Sequence, residues 1–159
     1  MTYKQGQGVF CNKQMNNILS KDKKMSYIHE LILSISIRNK IHKFVKHTVD
    51  CNEYVVKKGY SYNEKLFKDF TGYECFCNEL YFNNKLLLNN KKPTIEMVLY
   101  WLKKELSAKY NKKFCIIVAV DDGEFENITV FFHTYRQNEF YVGDLAGYEQ
   151  PVLYSIVDT

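Results

Sequence analysis

Seven consecutive residues, Phe114 to Val120 (FCIIVAV), carry no charge and no amide, and they lie between Lys112-Lys113 and Asp121-Asp122-Gly123. A run this short, flanked by polar turns and rich in β-branched residues, reads as a central strand covered on both faces, so it needs neighbours on both edges. The neighbours are legible downstream. Asp121-Asp122-Gly123 is a turn, and Ile128 to Tyr135 alternates Ile128/Val130/Phe132 against Thr129/Phe131/His133. After a turn at Gln137-Asn138, Glu139 to Val142 and Pro151 to Val157 complete three or four antiparallel strands. Upstream, Pro93-Thr94 opens the clearest helix, with Thr94 as N-cap and Ile95, Val98, Leu99, Leu102 and Leu106 on one face; Lys103, Lys104 and Lys109 lie off that face. The expected architecture is α+β: a helix at about 95–110 packed on an antiparallel meander at about 114–157, with Ile95, Leu99, Leu102, Leu106, Ile116 and Val118 in one core.

Residues 1–92 read as mostly helical. Ile28, Leu31, Ile32 and Ile35 form one apolar stripe and Ile41, Phe44, Val45 and Thr48 a second, predicting two short helices or one bent helix over 23–49. Glu53 to Val56 suits a short strand closed by Gly59. Ser61 with Glu64 makes a capping-box pattern that predicts a helix at about 62–71 ending at Gly72, and 75–88 reads as a hairpin or an irregular excursion. With 159 residues, 46% of them hydrophobic, and only 2 Pro and 7 Gly, nothing marks a linker, and 1–159 is expected to be a single domain.

Several chemistries find no support. The first eight residues are polar and lack the apolar core of a signal peptide, so a cytoplasmic location is expected. The longest apolar candidate for a membrane span, Ile28 to Ile37, is broken by serines and followed by Arg38. Five cysteines without a repeating spacing point to reduced thiols. Cys75-x-Cys77 would place two thiols on one face of a strand, but a structural zinc needs four ligands and no second pair follows; His42 and His47, five apart, read as surface residues. Gly6-Gln7-Gly8 lacks the spacing and the lysine of a phosphate loop. No metal and no cofactor is expected. The basic residues are almost all lysines scattered over every element, with Arg38 and Arg136 the only arginines, which reads as a solvated face and leaves nucleic-acid binding or regulation through the first half as an alternative. His133, Tyr135, Arg136 and Glu139 are the best enzyme candidates, and His133 with Arg136 makes the enzyme alternative. Strand alternation turns Arg136 away from His133 and Tyr135, and no nucleophile elbow or metal set accompanies them, so no catalysis is expected.

Charge divides the chain. Residues 1–113 hold 21 Lys and Arg against 10 Asp and Glu, a net +11, whereas 114–159 hold one Arg against eight acids, a net −7. An acidic, tyrosine-rich sheet invites a basic protein partner through electrostatic steering and aromatic anchors. The candidate partner-binding residues are Asp121, Asp122, Glu124, Glu126, Tyr135, Arg136, Glu139, Tyr141, Asp144, Tyr148 and Glu149.

A longer pattern runs through the same region. Ile95-x-x-Val98-Leu99-x-Trp101-Leu102-Lys103-x-Glu105-Leu106, then Phe114-x-Ile116-Ile117-Val118, then Phe131-Phe132-His133-x-Tyr135-Arg136-x-Asn138-Glu139-x-Tyr141-Val142-x-Asp144-Leu145-x-x-Tyr148-Glu149-Gln150-Pro151-Val152-Leu153 resembles immunity proteins of bacterial polymorphic toxin systems, particularly those of contact-dependent growth inhibition. The resemblance covers about residues 93–157. It implies a small cytoplasmic protein that binds one cognate toxin domain, one to one, and blocks its active site or a surface it needs. Toxin domains of this kind are often basic nucleases, for which the acidic region would be the docking face.

Overall fold

The computed structural model describes residues 8–21, 25–121, 123 and 126–158, with Tyr3–Lys4 as backbone alone. The expectations that rest on Gly6-Gln7, Asp22 to Lys24, Asp122 and Glu124 therefore lie outside the described residues. In chain order the elements are β1 (Tyr3–Lys4), β2 (Val9–Cys11), α1 (Lys13–Leu19), α2 (Tyr27–Lys46), β3 (Thr48–Asp50), β4 (Val55–Lys57), α3 (Phe70–Cys77), β5 (Glu79–Phe82), α4 (Lys85–Leu88), α5 (Lys91–Lys109), β6 (Phe114–Asp121), β7 (Asn127–Thr134), a 3-10 turn (Leu145–Gly147) and β8 (Val152–Val157).

The architecture is α+β, with an antiparallel sheet ordered β1-β2-β8-β6-β7-β5 and a separate hairpin of β3 and β4. The apolar run is the central strand: β6 pairs with β7 on one side (Ile116↔Phe132) and β8 on the other (Ile116↔Ser155). The sheet extends beyond the C-terminal meander, however. Val9–Cys11 adds to β8 and Glu79–Phe82 to β7, so the first 92 residues supply sheet strands as well as helices. Glu139–Val142 forms no strand; one isolated bridge, Arg136↔Glu139, is all the pairing it makes, and the chain then crosses the sheet irregularly. Gly8 permits the approach to β8: its φ is +87°, and a Cβ there would lie 3.0 Å from the Ile156 carbonyl oxygen.

One face of the sheet packs on α2 and α5, which hold Ile95, Leu102, Leu106, Ile116 and Val118 in a common core with Leu99 partly buried against it. Helix α5 begins at Lys91, earlier than expected, and Thr94 is inside its first turn with its hydroxyl donating to the Leu87 carbonyl at 2.9 Å. Leu102, 1% exposed, sits mid-core. Leu102→Ala is expected to cost about 2–5 kcal/mol, the lost transfer free energy plus the cavity left behind. Urea denaturation measures it, and a loss under about 1 kcal/mol would remove this helix from the core.

Helix α2 is one continuous 20-residue helix, with Ser26 as N-cap. Its core face is Leu33, Ile37, Ile41 and Val45, spaced by four, and not the predicted stripe of Ile28, Leu31, Ile32 and Ile35, which turns outward. The first half of α2 is apolar on both sides, so periodicity alone could not choose the inward one. The Lys109 ammonium closes the C-terminus of α2, donating to the carbonyls of Val45 and Thr48 at 2.7 Å each.

The predicted 62–71 helix is displaced. Asp69 caps α3 by accepting from the Gly72 N–H at 2.7 Å, and Gly72 lies within the helix it was expected to end. Aspartate three residues before an open backbone N–H satisfies the helix start better than Ser61 does. Cys75 and Cys77 are consequently on a helix and diverge, Cys75 toward Cys115 and Ile117 and Cys77 toward Val56 and Tyr73. His42 and His47 are both exposed, as expected.

Candidate binding surface

The second face of the sheet carries Phe10, Cys115, Ile117, Phe131, Val152 and Tyr154, covered by α3 and the 139–148 crossing. At the end of the sheet where β7 stops, this cover leaves a cavity of about 60 Å³. His133 and Cys115, directly opposed across β6 and β7, belong to its wall, with Tyr135, Glu139, Tyr154 and the aromatics Phe140 and Tyr141. Phe140 is 72% exposed and Tyr141 46%, an unusual outlay of aromatic surface beside a cavity.

The turn that presents these aromatics is held from beneath. Glu139 accepts from the Thr71 hydroxyl (2.6 Å) and N–H (3.3 Å) in the first turn of α3, where the helix dipole favours a carboxylate. The Arg136 guanidinium donates to the Glu74 carboxylate at 2.7 Å, to Thr71 at 3.1 Å and to the Glu53 carbonyl. Glu74 is fully buried, and its other oxygen accepts from the Val55 N–H (2.7 Å) and from the Thr134 hydroxyl (2.7 Å) and N–H (3.1 Å). Asn78, also buried, bridges β4 to β7 through the Val55 and Phe132 carbonyls. Farther along, Asp144 caps the 3-10 turn, and the Asn12 amide donates to the carbonyls of Tyr148 and Gln150. The crossing is thus tied down at both ends, which reduces the ordering cost of any contact it makes.

The structure gathers part of the predicted acidic and tyrosine set and separates the rest. Tyr135, Glu139 and Tyr141 share the cavity wall, while Arg136 turns away from it to Glu74. Asp121 and Glu149 lie at the opposite end of the sheet, beside Lys21 and Gly123 in a shallow depression; Asp121 also accepts from the Gly123 N–H. Glu126 faces Lys91 at 3.8 Å, Asp144 is spent on its cap and Tyr148 is half-buried over Leu145. The lysines of the first half offset part of the acidic charge: Lys113 pairs with Asp158 at 3.0 Å and lies 5.2 Å over the Tyr135 ring. Phe140, Thr71 and Glu74 were not among the predicted residues. Glu74 did leave a signal, a lone carboxylate in the otherwise apolar stretch Tyr73 to Cys77.

Burial shifts two titratable groups of the cavity wall. Burial pushes the Cys115 thiol up to about 12, far from thiolate. Burial also lowers His133 below the usual histidine value, outweighing the Thr134 carbonyl that its Nδ1 meets at 2.8 Å, so the imidazole is neutral. Folding stability linked to His133 is present at neutral pH and lost as pH falls from the unfolded value through the depressed folded one. Among the described residues no cluster of three or more His, Cys, Asp or Glu could hold a metal ion, and no helix is long and apolar enough to cross a membrane.

No curated protein and no solved structure matches the chain. A family model matches residues 10–159, nearly the whole sequence, and the chain belongs to the Uncharacterized protein PM0498 family.

Proposed function

We propose that this chain is a binding protein without turnover of its own, which neutralises one cognate toxin domain of a bacterial polymorphic toxin system in the cytoplasm by holding it one to one against the surface around Phe140 and Tyr141. The observation that carries this reading is the pair of exposed aromatics at the lip of a cavity, on a turn anchored through Glu139 to Thr71 and through Arg136 to Glu74. Rigid aromatic side chains beside a pocket are the commonest anchors of tight complexes. The resemblance of residues 93–157 to immunity proteins supplies the partner class. The net charge of −7 on residues 114–159 supports a basic partner.

The test is surface-binding kinetics with the toxin domain encoded by the gene immediately upstream. Phe140→Ala and Tyr141→Ala are each expected to raise the dissociation rate, by roughly 30-fold if each is worth about 2 kcal/mol. Asp121→Lys with Glu149→Lys, at the opposite end of the sheet, should leave the dissociation rate unchanged, because those side chains touch neither aromatic. Absence of binding to that domain sinks the toxin reading. Binding that both alanine variants leave unchanged would move the docking face elsewhere.

A further inference from the structure

The wall of the cavity beside Phe140 and Tyr141 combines two chemistries that a purely apolar anchor would not use together. Four of its residues are aromatic, Tyr135, Phe140, Tyr141 and Tyr154, and one is a carboxylate, Glu139. A hydrocarbon group entering it would gain from the rings but would strip water from the carboxylate, whereas a cation gains from both. Two of the rings are held by neighbours: Tyr154 stacks on Phe10 at 4.8 Å between centroids, and Tyr141 tilts against Phe131 at 5.9 Å. A third already takes a cation, since the Lys113 ammonium lies 5.2 Å from the Tyr135 ring centroid.

Glu139 keeps capacity for a further donor. Its bonds from the Thr71 hydroxyl and N–H, and its 3.7 Å approach to Arg136, all fall on Oε2; among the described residues, Oε1 accepts from none. The chain's own cations beside the wall are engaged elsewhere, Lys113 with Asp158 at 3.0 Å and Arg136 with Glu74 at 2.7 Å. Size narrows the occupant further. A cavity of about 60 Å³ is under half of the ~150 Å³ that admits a benzene ring, so it excludes an aromatic anchor and leaves room for the slim end of an unbranched chain. We infer that the cavity receives an alkylammonium group, the end of a lysine side chain presented by the partner, held by the rings of Tyr135 and Tyr141 and by the Glu139 carboxylate. The net charge of −7 on residues 114–159 favours a partner rich in such side chains. The inference rests on the proposed function for the identity of the chain that carries the lysine, and on the cavity alone for the chemistry.

n-Butylammonium chloride, titrated into the isotope-labelled full chain at constant ionic strength, should shift the backbone amides of Tyr141 and Val142 saturably, with a Kd on the order of 1–10 mM. The neutral 1-butanol, of matching length, should bind at least about 5-fold more weakly. Tyr141→Leu keeps an apolar side chain and removes the ring, whereas Tyr141→Phe keeps the ring. The first should weaken butylammonium binding by about 5-fold and the second by less than about 2-fold. Glu139→Gln, which still offers Thr71 an acceptor, should weaken it as well, with the circular dichroism spectrum unchanged in all three variants. Butanol that binds as tightly as butylammonium overturns the inference in favour of an apolar anchor, as does Tyr141→Leu at full affinity. Absence of a saturable shift overturns it outright. A toxin domain that binds while butylammonium does not removes this inference and leaves the proposed function standing; the opposite pair of results removes the proposed function and leaves the ammonium site.

Discussion

Arg136→Ala is expected to destabilise the protein by about 3–5 kcal/mol, and by more at neutral than at acidic pH. Glu74 has no solvent contact, and Arg136 is the cation that faces it, at 2.7 Å. Burial pushes the Glu74 carboxyl up, working against the Val55 N–H, Arg136 and Thr134, which pull it down. A carboxyl raised in the folded state leaves the unfolded chain ionising first, so stability falls as pH climbs from the ordinary carboxylate range through the folded value. Removing Arg136 deletes one of the opposing interactions and raises the folded value further. The variant therefore loses more between acidic and neutral pH than the wild type does. Arg136 also helps to lower His133, so both proteins are compared in a His133→Gln background, where the difference between their pH–stability profiles isolates Glu74. Equal losses at pH 4.5 and pH 7 would show that Glu74 stays neutral in the fold and that the ion pair contributes little. If Glu74 is ionised at pH 7, Glu74→Gln should rescue part of the Arg136→Ala loss there, because an amide keeps the packing without the charge.

The same network explains where sequence reasoning reached and where it stopped. Phe114 to Val120 was readable as a central strand because a continuous apolar run between charges has few other uses, and α5 was readable because its stripe and lysines separate cleanly around the helix. In α2 the inward face could not be chosen, since Ile28, Leu31, Ile32 and Ile35 are as apolar as Leu33, Ile37, Ile41 and Val45 and only tertiary contact decides between them. Glu139 to Val142, the start of the 139–148 crossing, failed as a strand for a different reason. Its tyrosines and valine have strand propensity, but its backbone and side chains are claimed by distant partners, Glu139 by Thr71 and the Tyr148 carbonyl by Asn12, across 68 and 136 residues of sequence. The acidic set was visible as composition, yet its division between two ends of the sheet depends on the antiparallel path of β6, β7 and β8. Tyr135, Glu139 and Tyr141 were legible as a group; Phe140 was hidden because, in Glu139-Phe140-Tyr141-Val142, an aromatic reads the same whether it faces in or out.

Phe132→Ala should cost about 3–5 kcal/mol, a large share of the 5–15 kcal/mol typical of a whole domain, while leaving the proposed binding surface competent. Phe132 is 1% exposed and meets two rings edge-on, Phe44 of α2 at 6.1 Å between centroids and Phe114 of β6 at 5.7 Å. It is thus the ring through which the long helix grips the sheet, and truncation removes both edge contacts along with the buried area. The adjacent residues of β7 point the other way: Phe131 packs under the 139–148 crossing near Tyr141, and His133 lines the cavity. Strand alternation therefore puts the stabilising ring and the proposed binding surface on opposite faces of one strand. Phe132→Leu, which restores most of the volume, should recover more than half of the loss. Guanidinium denaturation gives the stability, and the dissociation rate from the partner, measured well below the melting temperature, gives the surface. A stability loss under about 1.5 kcal/mol would show that α2 does not depend on this ring. A dissociation rate that rises as much as it does for Phe140→Ala would show that the two faces of the sheet are coupled rather than independent.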